Sequence, residues 1–360
     1  MHAGSLKDTF AGKRVFVTGH TGFKGAWLSL WLRHLGAEVY GYALAPAQSP
    51  SFFDQLGLER ELAAHHLADI RDAARVGQAL GEAKPDFVFH LAAQPLVLES
   101  YREPLATYEV NVNGTLHVLE ALRRLDGPCS AVFITTDKCY ENREDGRRYR
   151  EEEAMGGYDP YSSSKGCAEL AIASWRKSFF GPESPVAVAS ARAGNVIGGG
   201  DWADNRIVPD AMRSLREGKP ICVRNPRAVR PWQHVLEPLH GYLRLAQALA
   251  EKPREVSLRS AFNFGPSEDA SQSVEALVGE ILKNWPGAWE DASVPGAPHE
   301  AGLLHLAIEK AERVLGWRPV WDFSETIRQT VGWYREAERD SAGIRDFSLG
   351  QIHCFEKAAL

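Results

Sequence analysis

Hydrophobic positions in the first half of the chain fall into short, nearly unbroken apolar runs separated by stretches of helical periodicity. The runs occupy residues 13–18, 38–44, 86–91, 130–136 and 185–192, with a shorter one just before Asp69. Runs of this length without polar alternation predict parallel strands covered on both faces. Between them the periodicity predicts helices at 26–35, ahead of Asp69, across 104–124 and from Tyr161 onward. This alternation predicts an α/β fold on a doubly wound parallel sheet. After 185–192, the stretch 194–205 is rich in Gly, Asn and Asp and reads as a crossing loop into a second, smaller lobe. Shorter elements follow: helices near 207–216, 235–250, 273–283, 308–315 and 324–334, with strands at 221–223 and 261–264. Beyond about Asp340 no pattern predicts an element.

Composition narrows the class without choosing a function. The 360 residues allow a large core and two lobes. A net charge of −6 with no basic tract excludes a nucleic-acid partner. The five cysteines are scattered and show no paired spacing, which fits a reducing cytoplasm and gives no support for a metal site or a disulfide. The apolar run 26–32 stops at Arg33, too short to span a membrane, and the first dozen residues lack a signal-peptide core. A cytoplasmic protein with no membrane or metal partner is expected.

Chemistry enters at the strand ends. Gly19-His20-Thr21-Gly22-Phe23-Lys24-Gly25 follows the first strand and opens a helix, the context a dinucleotide fingerprint requires. Gly19 permits the tight turn, Gly22 lets main chain approach a pyrophosphate, and Gly25 allows close packing of the helix, whose free N–H groups face the phosphates. Lys24 either meets the pyrophosphate or lies on the outer helix surface, and bulk at His20 and Lys24 would equally crowd a cofactor. Ala43, Leu44 and Ala45 stand where an acidic or basic residue would choose between NAD and NADP, so that choice is not marked. Asp69-Ile70 reads either as an adenine contact or, at Asp69, as a helix N-cap ahead of Arg71. Leu91-Ala92-Ala93-Gln94 ends its strand in small residues that leave room for a flat ligand. Asn111, within a helix, is either exposed or hydrogen-bonded for a reason. Thr136-Asp137-Lys138 closes the next strand, where a doubly wound sheet keeps its active site. Tyr161 and Lys165 lie one turn apart on a helix face, so the ammonium is expected to draw the phenol's pKa down toward working range.

Taken together, these pieces resemble the extended short-chain dehydrogenase/reductase superfamily over about 330 residues. Within it the chain is similar to nucleotide-sugar 4,6-dehydratases, most of all to the branch acting on CDP-glucose. Residues 20–25, 136–140, 199–202, 230–235 and 298–301 carry that likeness. The resemblance implies a Rossmann-like NAD-binding domain at 1–195, with returning segments near 230–265. It places a nucleotide-sugar-binding α/β lobe at 196–229 and 266–345. It implies NAD as cofactor and Tyr161 as base for the sugar C4 hydroxyl, with Lys165 also on the nicotinamide ribose. Thr136 then bonds O4, and Asp137 protonates the departing C6 hydroxyl. Lys138 departs from the broader family, which has glutamate there; it either takes the C5 proton or only pairs with Asp137. Asn195, Arg206, Arg230 and His299 are expected on the nucleotide sugar, with Trp202 and Trp232 either flanking the base or buried. The family also implies a homodimer, or a tetramer, pairing through helices 103–124 and 161–180. A 4-epimerase, a GDP- or dTDP-sugar dehydratase, and a non-catalytic dinucleotide sensor are the competing readings.

Overall fold

Seven of the apolar runs assemble into a single sheet in the computed structural model, which describes residues 4–293 and 304–360. They are β1 (Arg14–Thr18), β2 (Glu38–Ala43), β3 (Ala64–Leu67), β4 (Phe87–His90), β5 (Cys129–Ile134), β6 (Val186–Ala193) and β7 (Ala261–Phe264). Every neighbouring pair is parallel, in the order β7-β6-β5-β4-β1-β2-β3. Strand order reverses between β1 and β4, where Thr18 lies opposite His90, and a crevice opens above the carboxyl ends at such a reversal.

Alternation along β1 sends Val15 and Val17 into one apolar layer and Phe16 into the other. The first layer holds α1 (Phe23–His34), whose Trp27 and Trp31 are fully buried. The second holds α2 (Ala73–Ala83) and the helical segment of residues 104–122. That segment, expected as one regular helix, is α3 (Pro104–Tyr108), a π turn (Glu109–Asn113) and α4 (Gly114–Leu122). The helix that carries Tyr161 and Lys165, α5 (Pro160–Ser178), begins at Asp159, whose carboxylate accepts from the Ser162 N–H at 2.9 Å, with Pro160 in the first turn.

Beyond β6, α6 (Ile207–Arg216) and α8 (Val274–Asn284) accompany small two-stranded pairings, Val229–Pro231 with Ser271–Ser273 and Ile221–Val223 with Trp289–Asp291. Between them α7 (Leu236–Glu251) returns to pack on β5 and β6. After α9 (Phe323–Arg339) comes a helix that no sequence pattern predicted, α10 (Ile344–Ala358). It docks on the back of α1: the Trp31 indole N–H donates to Glu356 at 2.7 Å, and Phe355 packs edge-on to Trp31 with ring centres 5.8 Å apart.

Candidate active site

The glycine turn is laced to the end of β4. Thr18 Oγ1 accepts from the N–H groups of Leu91 and Ala92 at 3.1 and 3.2 Å and bonds His90 Nδ1 at 2.8 Å. Gly19 has a left-handed backbone (φ +75°), and a Cβ there would stand 2.7 Å from the Ala92 nitrogen. Gly22 caps α1 with no side-chain hydrogen bond, so the first-turn N–H groups remain open to an anion. Phe23 lies against Gly198, where a Cβ would meet its ring at 3.2 Å. Gly22 is exposed, and a Cβ there would meet only the Gly19 carbonyl oxygen, so the turn leaves room for main-chain approach to a pyrophosphate and fits a dinucleotide.

His20 and Lys24 part company. The His20 ring is wholly buried beneath the turn, bonded to His65 Nδ1 at 2.7 Å and packed on Gly41, so it does not reach the turn's open face. Burial, then the neighbouring His65, push its pKa down to about 3. Lys24 instead reaches into the crevice among Asp137, Lys138, Lys165 and Arg206, 6.0 Å from the centre of the Tyr242 ring. It is therefore not an outer-surface residue. Burial, with Arg206 next, lowers its pKa to about 7.

On the β3 side, Asp69 does not cap α2. That cap is Asp72, which accepts from the Arg75 N–H at 3.0 Å. Asp69 instead accepts from the Arg71 N–H at 2.9 Å and pairs with its guanidinium at 2.6 Å, because a two-residue reach closes a tighter turn than a helix cap allows. Ile70 is buried against Gly114, and its carbonyl meets His117 Nδ1 at 3.0 Å. Asn111, inside the π turn and 1% exposed, accepts from the Gln94 N–H at 2.9 Å and donates to the Gln94 carbonyl and Ser164 Oγ at 3.1 and 2.9 Å. It ties the loop Leu91-Ala92-Ala93-Gln94 to α5, and π turns recur at such functional junctions.

Thr136, Asp137 and Lys138 follow β5 and face Tyr161 and Lys165. Asp137, 2% exposed, accepts from the Thr136 hydroxyl at 2.9 Å and pairs with Lys138 Nζ at 3.3 Å. Lys138 also reaches Asn195 Oδ1 at 3.4 Å. The structure thus contains the Asp137–Lys138 pair, with Lys138 still partly open to the crevice. One expectation fails: Tyr161 is pushed up to about 12, not down. Desolvation is the largest influence, and the Thr136 hydrogen bond and Arg206 only partly offset it. Lys165, equally dry, falls to about 8.

Arg206 is held by Asp201 at 2.8 Å and is close enough to Tyr161 to favour its phenolate. Arg230 lies half-buried beside Pro231, and Pro231 and Asp137 both border Gly194. Trp202 packs edge-on to Trp333 and Tyr334, and Trp232 is buried with its N–H on the Gln272 carbonyl at 3.0 Å; burial in the lobe is the correct reading for Trp232. His299 lies outside the described residues. Sequence reasoning passed over Glu169 and Arg192, although a carboxylate four residues after Lys165 on the same helix face was the available signal. Among the described residues no cluster of His, Cys, Asp or Glu is arranged to hold a metal ion, and no helix is long and apolar enough to cross a membrane.

Comparison with known proteins bears directly on this site. The GDP-mannose 4,6 dehydratase family model matches residues 16–330. The chain is 49% identical over 337 residues to the CDP-glucose 4,6-dehydratase of Salmonella typhimurium, covering 91% of this chain and 92% of that one. The chain belongs to the nucleotide-sugar 4,6-dehydratases. Solved structures agree on the short-chain dehydrogenase/reductase fold of this dehydratase. The UDP-glucose 4-epimerase of Thermus thermophilus, in complex with NAD, superposes with a TM-score of 0.75 at 26% identity, over 90% of this chain and 99% of that one. DesIV, the dTDP-glucose 4,6-dehydratase of Streptomyces venezuelae with NAD bound, gives 0.76 at 21% identity, over 91% and 98%.

Proposed function

We infer that the chain converts CDP-D-glucose to CDP-4-dehydro-6-deoxy-D-glucose and water, as an NAD-dependent hydro-lyase. The observation that carries this is the Asp137–Lys138 pair beside Tyr161 and Lys165, in a chain 49% identical to a CDP-glucose 4,6-dehydratase. Removing a hydride at C4 needs one base, whereas expelling water across C5 and C6 also needs an acid and a second base. A 4-epimerase would leave Asp137 and Lys138 without work.

The glycine cradle, Leu91–Gln94 and Lys165 would hold NAD, with Asp69 and Ile70 toward its adenine. When bound, NAD supplies a reversible hydride acceptor, taking hydride from C4 and giving it to C6. Tyr161 takes the O4 proton, with Thr136 bonding O4. The Thr136 hydrogen bond and Arg206 favour the phenolate against its dry surroundings. With the pair's proton on Asp137, the Lys138 amine takes the C5 proton that the 4-keto group acidifies, and the resulting ammonium, whose protons exchange with water, returns a proton to the same carbon. Asp137 protonates the departing C6 hydroxyl, so the proton lost from O4 leaves, in balance, with the water. Asn195 holds Lys138 over C5, and Arg206, Arg230 and His299 are proposed for the nucleotide diphosphate.

The same proposal assigns 1–195 and 230–265 to the dinucleotide half and 196–229 and 266–345 to the sugar lobe, supported by β7 joining the main sheet. It includes a dimer in which the helices of 103–124 and 161–180 pair, supported by the exposed Leu105 on α3 and Leu170 on α5. A cytoplasmic location is supported by five free cysteines.

The test is incubation with NAD and, separately, CDP-, dTDP-, GDP- and UDP-hexoses, read by alkali-induced 4-ketosugar absorbance and by mass. Turnover of CDP-glucose with loss of water is expected. A mass-neutral change of sugar configuration would replace this reading with the epimerase.

A further inference from the structure

Behind Tyr161 and Lys165 lies a second charged pair that the reaction above does not use. Glu169 follows Lys165 by one turn of α5 and is 3% exposed. Its Oε1 accepts from the Thr135 hydroxyl at 2.5 Å. Its Oε2 accepts from the Ser190 hydroxyl at 2.9 Å and from Arg192 Nη2 at 2.7 Å. Arg192, near the end of β6, donates through Nη1 to the Tyr140 hydroxyl at 2.7 Å and to the Glu151 carbonyl at 3.0 Å. Its guanidinium carbon also lies 5.0 Å from the centre of the Tyr140 ring. Tyr140 in turn donates to Asn263 Oδ1 on β7 at 2.7 Å.

Thr135 and Tyr140 are the two flanks of the catalytic turn. The pair therefore grips that turn on both sides while rooted in the helix that carries the catalytic phenol and ammonium. Stability alone is a weak reason for such an arrangement, since well-packed apolar replacements of a buried ion pair are often neutral or better. We propose that Glu169 and Arg192 are positioning residues: together they set Thr136-Asp137-Lys138 against Tyr161, and Glu169 supplies the counter-charge that keeps Lys165 an ammonium. This rests on the roles assigned to Tyr161 and Lys165 above.

The surroundings of Lys165 agree. Burial is what lowers its pKa to about 8, and Glu169 is the strongest influence in the other direction, followed by Cys139. His90 packs nearby, Lys24 approaches from α1, and Asp137, Asp159 and Arg206 act on Tyr161. Neutralising Glu169 leaves Arg192 as an uncompensated buried cation on the same side, so Lys165 would release its proton at lower pH.

Glu169→Gln removes the charge and keeps an acceptor for Thr135 and Ser190. Three quantities are measured: steady-state kinetics on CDP-glucose with NAD across pH, the unfolding midpoint, and the Lys165 Cε chemical shift in cofactor-free protein, assigned with Lys165→Arg. We expect kcat to fall about tenfold or more, a change of about 1.4 kcal/mol in the barrier, with KM within about threefold. The basic limb of kcat and the Lys165 titration should move together to lower pH, by about one pH unit. An unchanged Lys165 titration and basic limb overturn the proposal, whatever happens to kcat. A second variant, Glu169→Leu with Arg192→Met, separates positioning from packing. It is expected to regain the unfolding midpoint while kcat stays low, and full recovery of kcat also overturns the proposal. If the unaltered protein fails on CDP-glucose, the reading of function falls, while the Lys165 titration still decides the role of the pair.

Discussion

Alanine at Gly25 would put a methyl carbon where main chain already lies. Its Cβ would stand 2.7 Å from the Gly19 carbonyl carbon and 2.8 Å from the His20 Cα, where ordinary contacts begin at 3.4 Å. The Gly19 carbonyl oxygen lies closer still, and none of these obstacles is a side chain, so no rotamer yields and α1 and the turn must separate by about 1 Å or more. Overpacking of this kind costs about 1–3 kcal/mol, with the upper part of the range expected against rigid backbone. Alanine's preference for helix returns about 1 kcal/mol. The net loss is then about 1–2 kcal/mol, read as a lower urea midpoint by tryptophan fluorescence. Gly22→Ala is the paired comparison, because its Cβ would meet only the Gly19 carbonyl oxygen, at 3.4 Å. That variant should lose less stability but place its methyl on the open face of the cradle. Both variants should weaken NAD binding at least tenfold by calorimetric titration, a loss of about 1.4 kcal/mol or more. A Gly25→Ala protein with an unaltered midpoint and unaltered NAD affinity would refute the close-packing argument.

Other expectations follow from the same geometry. Lys138→Ala should abolish wash-out of deuterium from C5 while leaving NAD binding intact; normal exchange would return Lys138 to a purely structural partner of Asp137. Phe355→Ala, truncating a fully buried ring between Trp31 and Trp321, should cost about 3–5 kcal/mol in unfolding free energy, and a loss below about 1 kcal/mol would mean α10 is not docked as described. Burial holds His20, His90, His234 and His240 neutral, each near a pKa of about 3, so their contribution is present above pH 6.5 and is lost as pH falls toward 3. Glu237, raised to about 7, acts oppositely between pH 4.5 and 7, so near pH 5.5 unfolding should take up about three protons from these five groups, measured from the pH dependence of the urea midpoint. Leu105→Glu combined with Leu170→Glu should yield monomer by sedimentation velocity if the α3–α5 face pairs, and an unchanged oligomer would place the interface elsewhere.

What the sequence revealed, and what it hid, divides along local and non-local causes. The strands were visible because burial on both faces leaves almost no polar residue in them; β6 is covered at all eight positions. Helix α10 was missed because two of the five residues in its buried stripe are polar. Ser348 sits between Ile344 and Ile352, satisfied by the Ile344 carbonyl and the Trp333 N–H at 2.7 and 2.9 Å, and the Gln351 Nε2 donates to the Gln329 carbonyl at 2.8 Å. The place of Tyr161 beside Lys165 was legible, but the direction of its pKa was not. Spacing shows the neighbouring ammonium and says nothing of the dry surroundings that outweigh it. Asp69 and Asp72 are equally good capping residues by type, and only the backbone of the β3–α2 turn chooses between them. Glu169 and Arg192 lie 23 residues apart, and nothing short of the packing of α5 on β6 brings them together.

The π turn also constrains which kinds of mutation this protein can absorb. Thr107, Asn111, Thr115 and Leu119 recur at strict four-residue intervals and are all buried. A regular α-helix advances about 40° too far at each such step, so by Leu119 the row would have wound well away from where it began. The wider turn at Glu109–Asn113 takes up that excess and keeps the row as a single wall facing α5 and the end of β4. Removing one residue there would restore regular winding, and the two changes of about 100° nearly cancel, so Gly114 to Leu122 would keep their direction relative to Thr107. A one-residue deletion is therefore absorbed inside this turn, whereas the same deletion in the regular turns after it would rotate every later contact by about 100°.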